Sequence, residues 1–239
     1  MAIINGPYAS KTRGKFGEVV AVKTTGNRTA LRSYQPKVKN PNTLRQRVSR
    51  AKLAEASAVA AALANGVKAG YGLAVSGTKM YPRNMFLRDL VKGNVMEVDP
   101  TDLSYIAMDY SEMKVSARVG ISMAPTVGTL GLSTAGKISV PVTAYPTVEV
   151  DKPGQMGIVI VCYFPNKEAS VVKMAAMPTT GTSTIDVDGL AAFQGETVHV
   201  YAFAKWIPET GNEVQTTTEP WKYPSETSDS VYVGTGNVA

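Results

Sequence analysis

The sequence has very little of the chemistry that enzymes and metal sites use. Its 239 residues include one histidine, His199, and one cysteine, Cys162. Zinc sites built from paired Cys and His ligands and an intrachain disulfide are therefore excluded. A Ser or Cys nucleophile would depend on that single histidine as its base, and no Gly-x-Ser-x-Gly motif accompanies it. We predict no catalytic residue, no cofactor, no metal and no small-molecule substrate, and hence a protein that is not an enzyme.

Phosphate-binding motifs are missing as well. The Gly14-Lys15 pair lacks the upstream glycine of a phosphate-binding loop, and it is followed by Phe16 rather than Ser or Thr. No Gly-x-Gly-x-x-Gly fingerprint for a dinucleotide is present. Two carboxylates, Asp186 and Asp188, leave two interpretations open, because they fit either a cation site or an Asp-Val-Asp-Gly turn at a strand end.

The lone histidine and the lone cysteine both fall in predicted strands. Alternation in Val-His-Val-Tyr makes His199 either a hydrogen-bonded sheet residue or a solvent-facing one. Cys162 lies in the apolar run 158–164, which predicts a buried thiol. Both patterns favour structural roles.

Long hydrophobic segments are absent. The most apolar run, residues 157–164, is far shorter than the roughly 20 residues of a membrane-spanning helix. The first residues have neither the charged start nor the apolar region of a signal peptide. We therefore predict no membrane span and synthesis in the cytoplasm without a signal peptide.

Acidic residues are nearly absent from the first 52 positions, where twelve Lys/Arg stand against one acid, Glu18. Since the whole chain carries +6, the remaining 187 residues carry about −5. Such a segment favours a polyanion or an acidic partner. The predicted nucleic-acid or partner-binding residues are Lys11, Arg13, Lys15, Lys23, Arg28, Arg32, Lys37, Lys39, Arg45, Arg47, Arg50 and Lys52.

The N-terminal pattern indicates a β-hairpin. Two runs with strand character, 16–24 and 28–34, are joined by a Thr-Gly-Asn turn, in which Gly and Asn tolerate positive φ. Alternation places Arg28, Arg32 and Tyr34 on one face. We expect a basic face that ends in an aromatic ring.

Two helices are predicted next. The Ala-rich stretch from Thr43 to about Asn65 lacks Pro and Gly, and Asn65-Gly66 marks its predicted end. An apolar stripe that includes Leu44 and Val59 predicts its packing face. A shorter helix is predicted over 83–92.

After residue 100 the pattern changes to short apolar runs separated by Gly, Pro, Thr and Ser. This spacing is typical of an antiparallel sandwich. The predicted strands are 114–123, 137–143, 157–164, 169–176, 182–187, 197–206 and 228–233. The predicted fold class is α+β, mainly β: a basic hairpin plus helical region over residues 1–100, followed by an immunoglobulin-like β-sandwich over 101–239.

Several motifs carry a resemblance. The chain is similar to an uncharacterised family, common in Bacteroidetes and their phages, whose pattern reads Gly-Lys-x-Gly-x-Val-Val, then Asn-Pro-x-Thr-x-x-Gln-x-x-x-Arg. The matching pieces are 14–20, 32–38, 40–43, 46–50, 163–169, 195–201 and 228–234. The resemblance implies an origin and an architecture, with no catalytic residue to carry over.

Three functions follow as hypotheses. The leading one is a structural phage virion component that assembles with copies of itself or bridges other virion proteins, its basic segment facing nucleic acid or a neighbouring subunit. The second is a sequence-nonspecific DNA- or RNA-binding protein acting through residues 11–52. The third is a sandwich adhesin or carbohydrate binder using Trp206, Trp221 and Tyr223.

Overall fold

The computed structural model divides the chain into two compact units, residues 1–43 and residues 44–239. It describes residues 2–4, 14–24, 28–34, 42–93, 95–99, 101, 106–144, 154–210, 213–214 and 225–239. The boundary expected from the sequence, after residue 100, grouped the helices with the N-terminal hairpin. The structure instead groups them with the later strands, because the helices bury their apolar side chains against those strands.

The described residues of the first unit form an antiparallel sheet of four short strands. These strands are β1 (Ala2–Ile4), β2 (Gly14–Phe16), β3 (Val19–Thr24) and β4 (Arg28–Ser33). Their spatial order is β1-β4-β3-β2. Gly17 has a φ of +59° in the two-residue connection between β2 and β3, a position that favours glycine. β3 pairs with β4 antiparallel. The predicted turn at 25–27 lies outside the described residues.

In its described residues the second unit is mixed α+β, with three α-helices and antiparallel sheets. The helices are α1 (Leu44–Ala62), α2 (Ala64–Tyr71) and α3 (Pro82–Lys92). The strands are β5 (Met96–Val98), β6 (Ile106–Met108), β7 (Ile138–Thr143), β8 (Gly154–Phe164), β9 (Ala169–Ala176), β10 (Thr182–Val187), β11 (Thr197–Thr210), β12 (Glu213–Val214) and β13 (Val231–Asn237). The predictions for 137–143, 157–164, 169–176, 182–187, 197–206 and 228–233 are confirmed as β7, β8, β9, β10, β11 and β13, with some ends shifted by a few residues.

A five-stranded sheet lies at the centre of this unit. β11 lies between β8 and β13, and also pairs with β12, while β9 pairs with the other side of β8. Both faces are buried. Val159 and Val161 belong to a core shared with the helices, whereas Ile158 and Ile160 belong to a core shared with the paired strands β7 and β10. Two buried faces explain why β8 is apolar at successive positions instead of alternating.

The helical region extends past its predicted end. α1 stops at Ala62, but α2 begins two residues later and includes Asn65-Gly66, so the helix end predicted there is wrong. A Cβ on Gly66 would lie 3.0 Å from a methyl carbon of Val161. Glycine is therefore used here for close packing of a helix on the sheet rather than for ending the helix. The predicted helix 83–92 is confirmed as α3.

One predicted strand is wrong. Residues 114–123 form no regular strand and make only isolated bridges, from Val119 and Gly120 to Thr227. The apolar residues that suggested a strand, such as Val115 and Ile121, are buried, but they belong to a segment without regular secondary structure. Apolar spacing alone does not distinguish the two cases.

None of the helices in the described part of the chain is both long enough and apolar enough to cross a membrane.

Candidate functional site

Eight of the twelve predicted basic residues lie within the described residues, and these eight are divided between the two units. Lys11, Arg13, Lys37 and Lys39 lie outside the described residues, and Lys23 and Arg28 lie in β3 and β4. Lys15 and Arg32 are exposed on the N-terminal sheet, and Arg45, Arg47, Arg50 and Lys52 lie in α1. Two cationic surfaces result, one in each unit.

The cationic surface of the first unit combines charge with an aromatic ring. Lys15 pairs with Val20, and Val20 pairs with Arg32, so these three residues form one row across β2, β3 and β4. Tyr34 follows two residues after Arg32, on the same side by alternation. The ammonium of Lys15 lies 3.7 Å from the centroid of the Tyr34 ring, within cation–π range. This row with Tyr34 is called the cationic sheet face below.

The cationic surface of the second unit is the first half of α1. Arg45, Arg47 and Arg50 are exposed there. Lys52 behaves differently, since its ammonium donates a 3.0 Å hydrogen bond to the carbonyl of Met96 and its stem is half-buried. Lys52 therefore ties α1 to β5 and is the least available of the four predicted cations.

Apolar side chains on the same half of α1 are uncovered. Leu44 is 44% exposed and Leu53 is 51% exposed. The buried residues of the helix are Ala56, Val59 and Ala60, all in its second half. The predicted stripe is therefore correct at Val59 and wrong at Leu44, because only the second half of α1 packs on the sheet. The first half offers both charge and apolar surface.

A cluster of tyrosines around His199 was not predicted. The Nδ1 atom of His199 lies 2.9 Å from the hydroxyl of Tyr232, and its ring centroid lies 4.3 Å from that of Tyr110. The hydroxyl of Tyr201 donates a 2.8 Å hydrogen bond to the Tyr110 carbonyl. These residues come from β11, β13 and the segment after β6, so their proximity depends on the strand order. Only the tyrosine-rich strand sequences hinted at it.

The electrostatics of this cluster keep it uncharged at neutral pH. Burial lowers the pKa of His199 and raises the pKa of Tyr201. The histidine is a hydrogen-bonded sheet residue, one of its two predicted alternatives. The cluster joins strands through neutral hydrogen bonds and ring contacts, which is a structural role.

Lys205 is a buried cation that the sequence analysis overlooked. It is 3% exposed, and its ammonium donates a 2.9 Å hydrogen bond to the carbonyl of Ala69 in the last turn of α2. Burial lowers the pKa of Lys205 to about 8. An ammonium at a helix C-terminus donates a hydrogen bond to a carbonyl that has no partner within the helix, and its positive charge interacts favourably with the negative end of the helix dipole. Lys205 thus fastens α2 to β11.

The two strand-end carboxylates are held by lysines. Lys137 lies 2.7 Å from Asp186, and this hydrogen bond lowers the pKa of Asp186. Lys173 lies 3.3 Å from Asp188. Within the described residues no group of three or more His, Cys, Asp or Glu side chains is arranged to hold a metal. The turn interpretation of this pair is therefore the better supported of the two.

The remaining reactive group is inert. Cys162 is fully buried, as predicted, and burial raises the pKa of its thiol to about 12. A thiol held in its protonated form is a poor nucleophile.

A pocket of about 230 Å³ lies where α3 ends. Its lining residues are Asp89, Leu90, Gly93, Val95, Glu112 and Lys114. The carboxylate of Asp89 is 2.9 Å from Arg88 and accepts a 3.4 Å hydrogen bond from the hydroxyl of Tyr71. This carboxylate is therefore engaged in contacts within the protein.

One of the three aromatic residues expected of a carbohydrate binder falls within the described residues. Trp206 is buried, and its indole Nε1 has no hydrogen-bond partner among the described residues. Trp221 and Tyr223 lie outside the described residues. The third hypothesis gains no aromatic platform from Trp206.

Comparison of the chain with protein-family models, with curated proteins and with solved structures finds no match.

Proposed function

We propose that this chain is a non-enzymatic structural protein that assembles with copies of itself or with other proteins, as a component of a phage virion. One observation carries the proposal. Of the eight exposed large apolar side chains among the described residues, four lie in the basic first 52 residues and a fifth follows directly: Val19, Val22, Tyr34, Leu44 and Leu53. Residues 1–53 are called the basic stretch below. Apolar surface exposed next to charge, on the N-terminal sheet and, separately, on the first half of α1, is typical of interaction sites, whereas isolated apolar residues on a surface are ordinary.

The charge of the same stretch supports a partner of opposite sign. Exposed leucines and arginines along the first half of α1 fit a surface that contacts a partner through both apolar and charged groups. On α1 the proposed partner is a neighbouring subunit. On the rest of the basic segment the proposed partner is either nucleic acid or a neighbouring subunit. A nucleic-acid-binding protein that acts without assembly is the second candidate, favoured by the cationic sheet face.

The architecture is consistent with this role. The packing of the central sheet against β7 and β10 supports an immunoglobulin-like β-sandwich, which we include in the proposal. The helical layer on the other sheet face is an addition to that architecture. Resemblance to a family found in phages supports the virion assignment.

Light scattering after size exclusion tests the proposal on the full chain. The test variant is Leu44→Glu with Leu53→Glu, which places charge in the proposed interface while keeping good helix formers. The matched control is Met123→Glu, at a position exposed to a similar degree outside the basic stretch. We expect a defined oligomer for the natural chain and for the control, and a monomer for the double variant. A natural chain that is monomeric at every concentration would refute assembly.

A further inference from the structure

We infer that the cationic sheet face binds single-stranded nucleic acid, with the ring of Tyr34 stacking on a base and Lys15 and Arg32 contacting phosphates. This inference rests on the proposed function in one respect, namely that the basic segment faces a polyanion, and it names the kind of polyanion and the residues.

The register of the sheet supplies the spacing. Lys15 and Arg32 lie on β2 and β4 with Val20 of β3 between them, so they are two strands apart. Adjacent strands are about 4.8 Å apart, which separates the two backbones by roughly 10 Å. Successive phosphates of an extended single strand lie within the reach of two such side chains.

The ring supplies what distinguishes a single strand from a duplex. Tyr34 is 41% exposed, and the Lys15 ammonium lies over its ring. Unpaired bases present their faces to aromatic side chains, whereas the bases of a duplex are already stacked on each other. A lysine beside a stacking ring places positive charge next to the phosphate of the stacked nucleotide.

The remaining residues of the face and the surrounding charge agree with this ligand. Val22 lies on the same side as Val20, two residues further along β3, and is exposed, so the face adds apolar surface for sugars and bases. The single acid among the first 52 residues, Glu18, lies in the turn between β2 and β3 rather than in the row.

Fluorescence anisotropy of the full chain with labelled oligo-dT of about 20 nucleotides tests the inference. We expect Tyr34→Leu to weaken binding at least about fivefold, the lower end of what one stacked base contributes. Tyr34→Phe keeps the ring and serves as the matched control, with an expected change below about twofold. Circular dichroism of each variant verifies that the sheet is retained.

The charge contacts are tested by salt. Replacing Lys15 and Arg32 by Gln is expected to weaken binding and to reduce the slope of log affinity against log salt by about 1.4, since each phosphate contact to a single strand contributes about 0.7. Lys68→Gln with Lys79→Gln removes the same charge from exposed positions of the second unit and is expected to leave the slope nearly unchanged.

Three probes separate the possible ligands. Oligo-dT and oligo-rU share phosphates and unpaired bases, and comparing them tells DNA from RNA. A duplex of the same length is expected to bind more weakly and to be indifferent to Tyr34→Leu. If Tyr34→Leu weakened binding of the duplex and of the single strand by the same factor, the inference would be overturned. Failure of the natural chain to bind oligo-dT while it still forms an oligomer would also overturn it, and would leave the assembly proposal standing.

Discussion

The basic stretch and the central sheet use their apolar residues in opposite ways. In β8 and β11 successive apolar side chains are buried on both faces, against helices on one side and against β7 and β10 on the other. Between residues 19 and 53, large apolar side chains are exposed beside arginines and lysines. The first arrangement stabilises a fold, whereas the second leaves surface that a partner can cover. The comparison separates the region that holds the protein together from the region that we propose contacts partners.

The two regions are expected to differ most in how much stability is lost when a large side chain is shortened. Phe203 is fully buried in the core shared by helices and sheet, so Phe203→Ala should lower the free energy of unfolding by about 3–5 kcal/mol. Val22→Ala, at an exposed position, should change it by less than about 0.5 kcal/mol. Urea denaturation followed by circular dichroism measures both. Comparable losses would mean that the N-terminal sheet face is covered.

The next largest effect is expected where α2 packs closely against the segment 115–116. A Cβ on Gly70 would lie 2.3 Å from the carbonyl oxygen of Val115, so Gly70→Ala should cost about 3 kcal/mol. Gly66→Ala is the milder partner variant, because the nearest atoms there belong to the side chain of Val161, which can shift. Thermal unfolding of both variants ranks them. An unchanged unfolding temperature for Gly70→Ala would mean that α2 lies farther from residues 115–116 than described.

Lys205 makes the stability of the second unit depend on pH. Its pKa is about 8 in the folded protein and about 10.4 in an unfolded chain. Between these values the unfolded chain binds more protons, so the natural protein gains stability as pH rises, whereas Lys205→Met lacks this contribution. The free energy of unfolding of the natural protein relative to Lys205→Met should rise by about 2 kcal/mol from about pH 7 to 9.5. Parallel stability curves would show that the ammonium is hydrated.

The smallest effect concerns the histidine cluster. Tyr232→Phe removes the hydroxyl that lies 2.9 Å from His199 Nδ1 and should cost about 1 kcal/mol. Tyr81→Phe removes a hydroxyl from the most exposed of the large apolar side chains in the described residues and should cost less than about 0.5 kcal/mol. Chemical denaturation of the pair measures the difference. Equal costs would indicate that the cluster does not stabilise the sheet.

Local patterns predicted much of the second unit. β9 and β10 match their predicted bounds, and α3 begins one residue earlier than predicted, because turn residues and periodicity are local properties. Gly66 shows where such patterns fail. Its meaning depends on Val161, a residue almost one hundred positions away that packs beneath it.

The candidate site was predicted in composition and not in arrangement. Counting charges identified the basic stretch, and alternation placed Arg32 and Tyr34 together. The third member, Lys15, joins them only through the pairing of β2 with β3, which depends on the Gly17 turn. Leu44 was expected to face the core but is exposed, because the sequence does not show how far the core extends along the helix.

Hydrogen–deuterium exchange, comparing the assembled protein with the same protein dissociated at high salt, tests most directly the claim that the basic stretch makes the contacts. The account predicts that assembly slows exchange in the first half of α1 and that adding oligo-dT slows exchange in β2 to β4, while the central sheet exchanges equally slowly in every state. Protection confined to the second unit outside α1, with residues 14–53 unchanged, would contradict it.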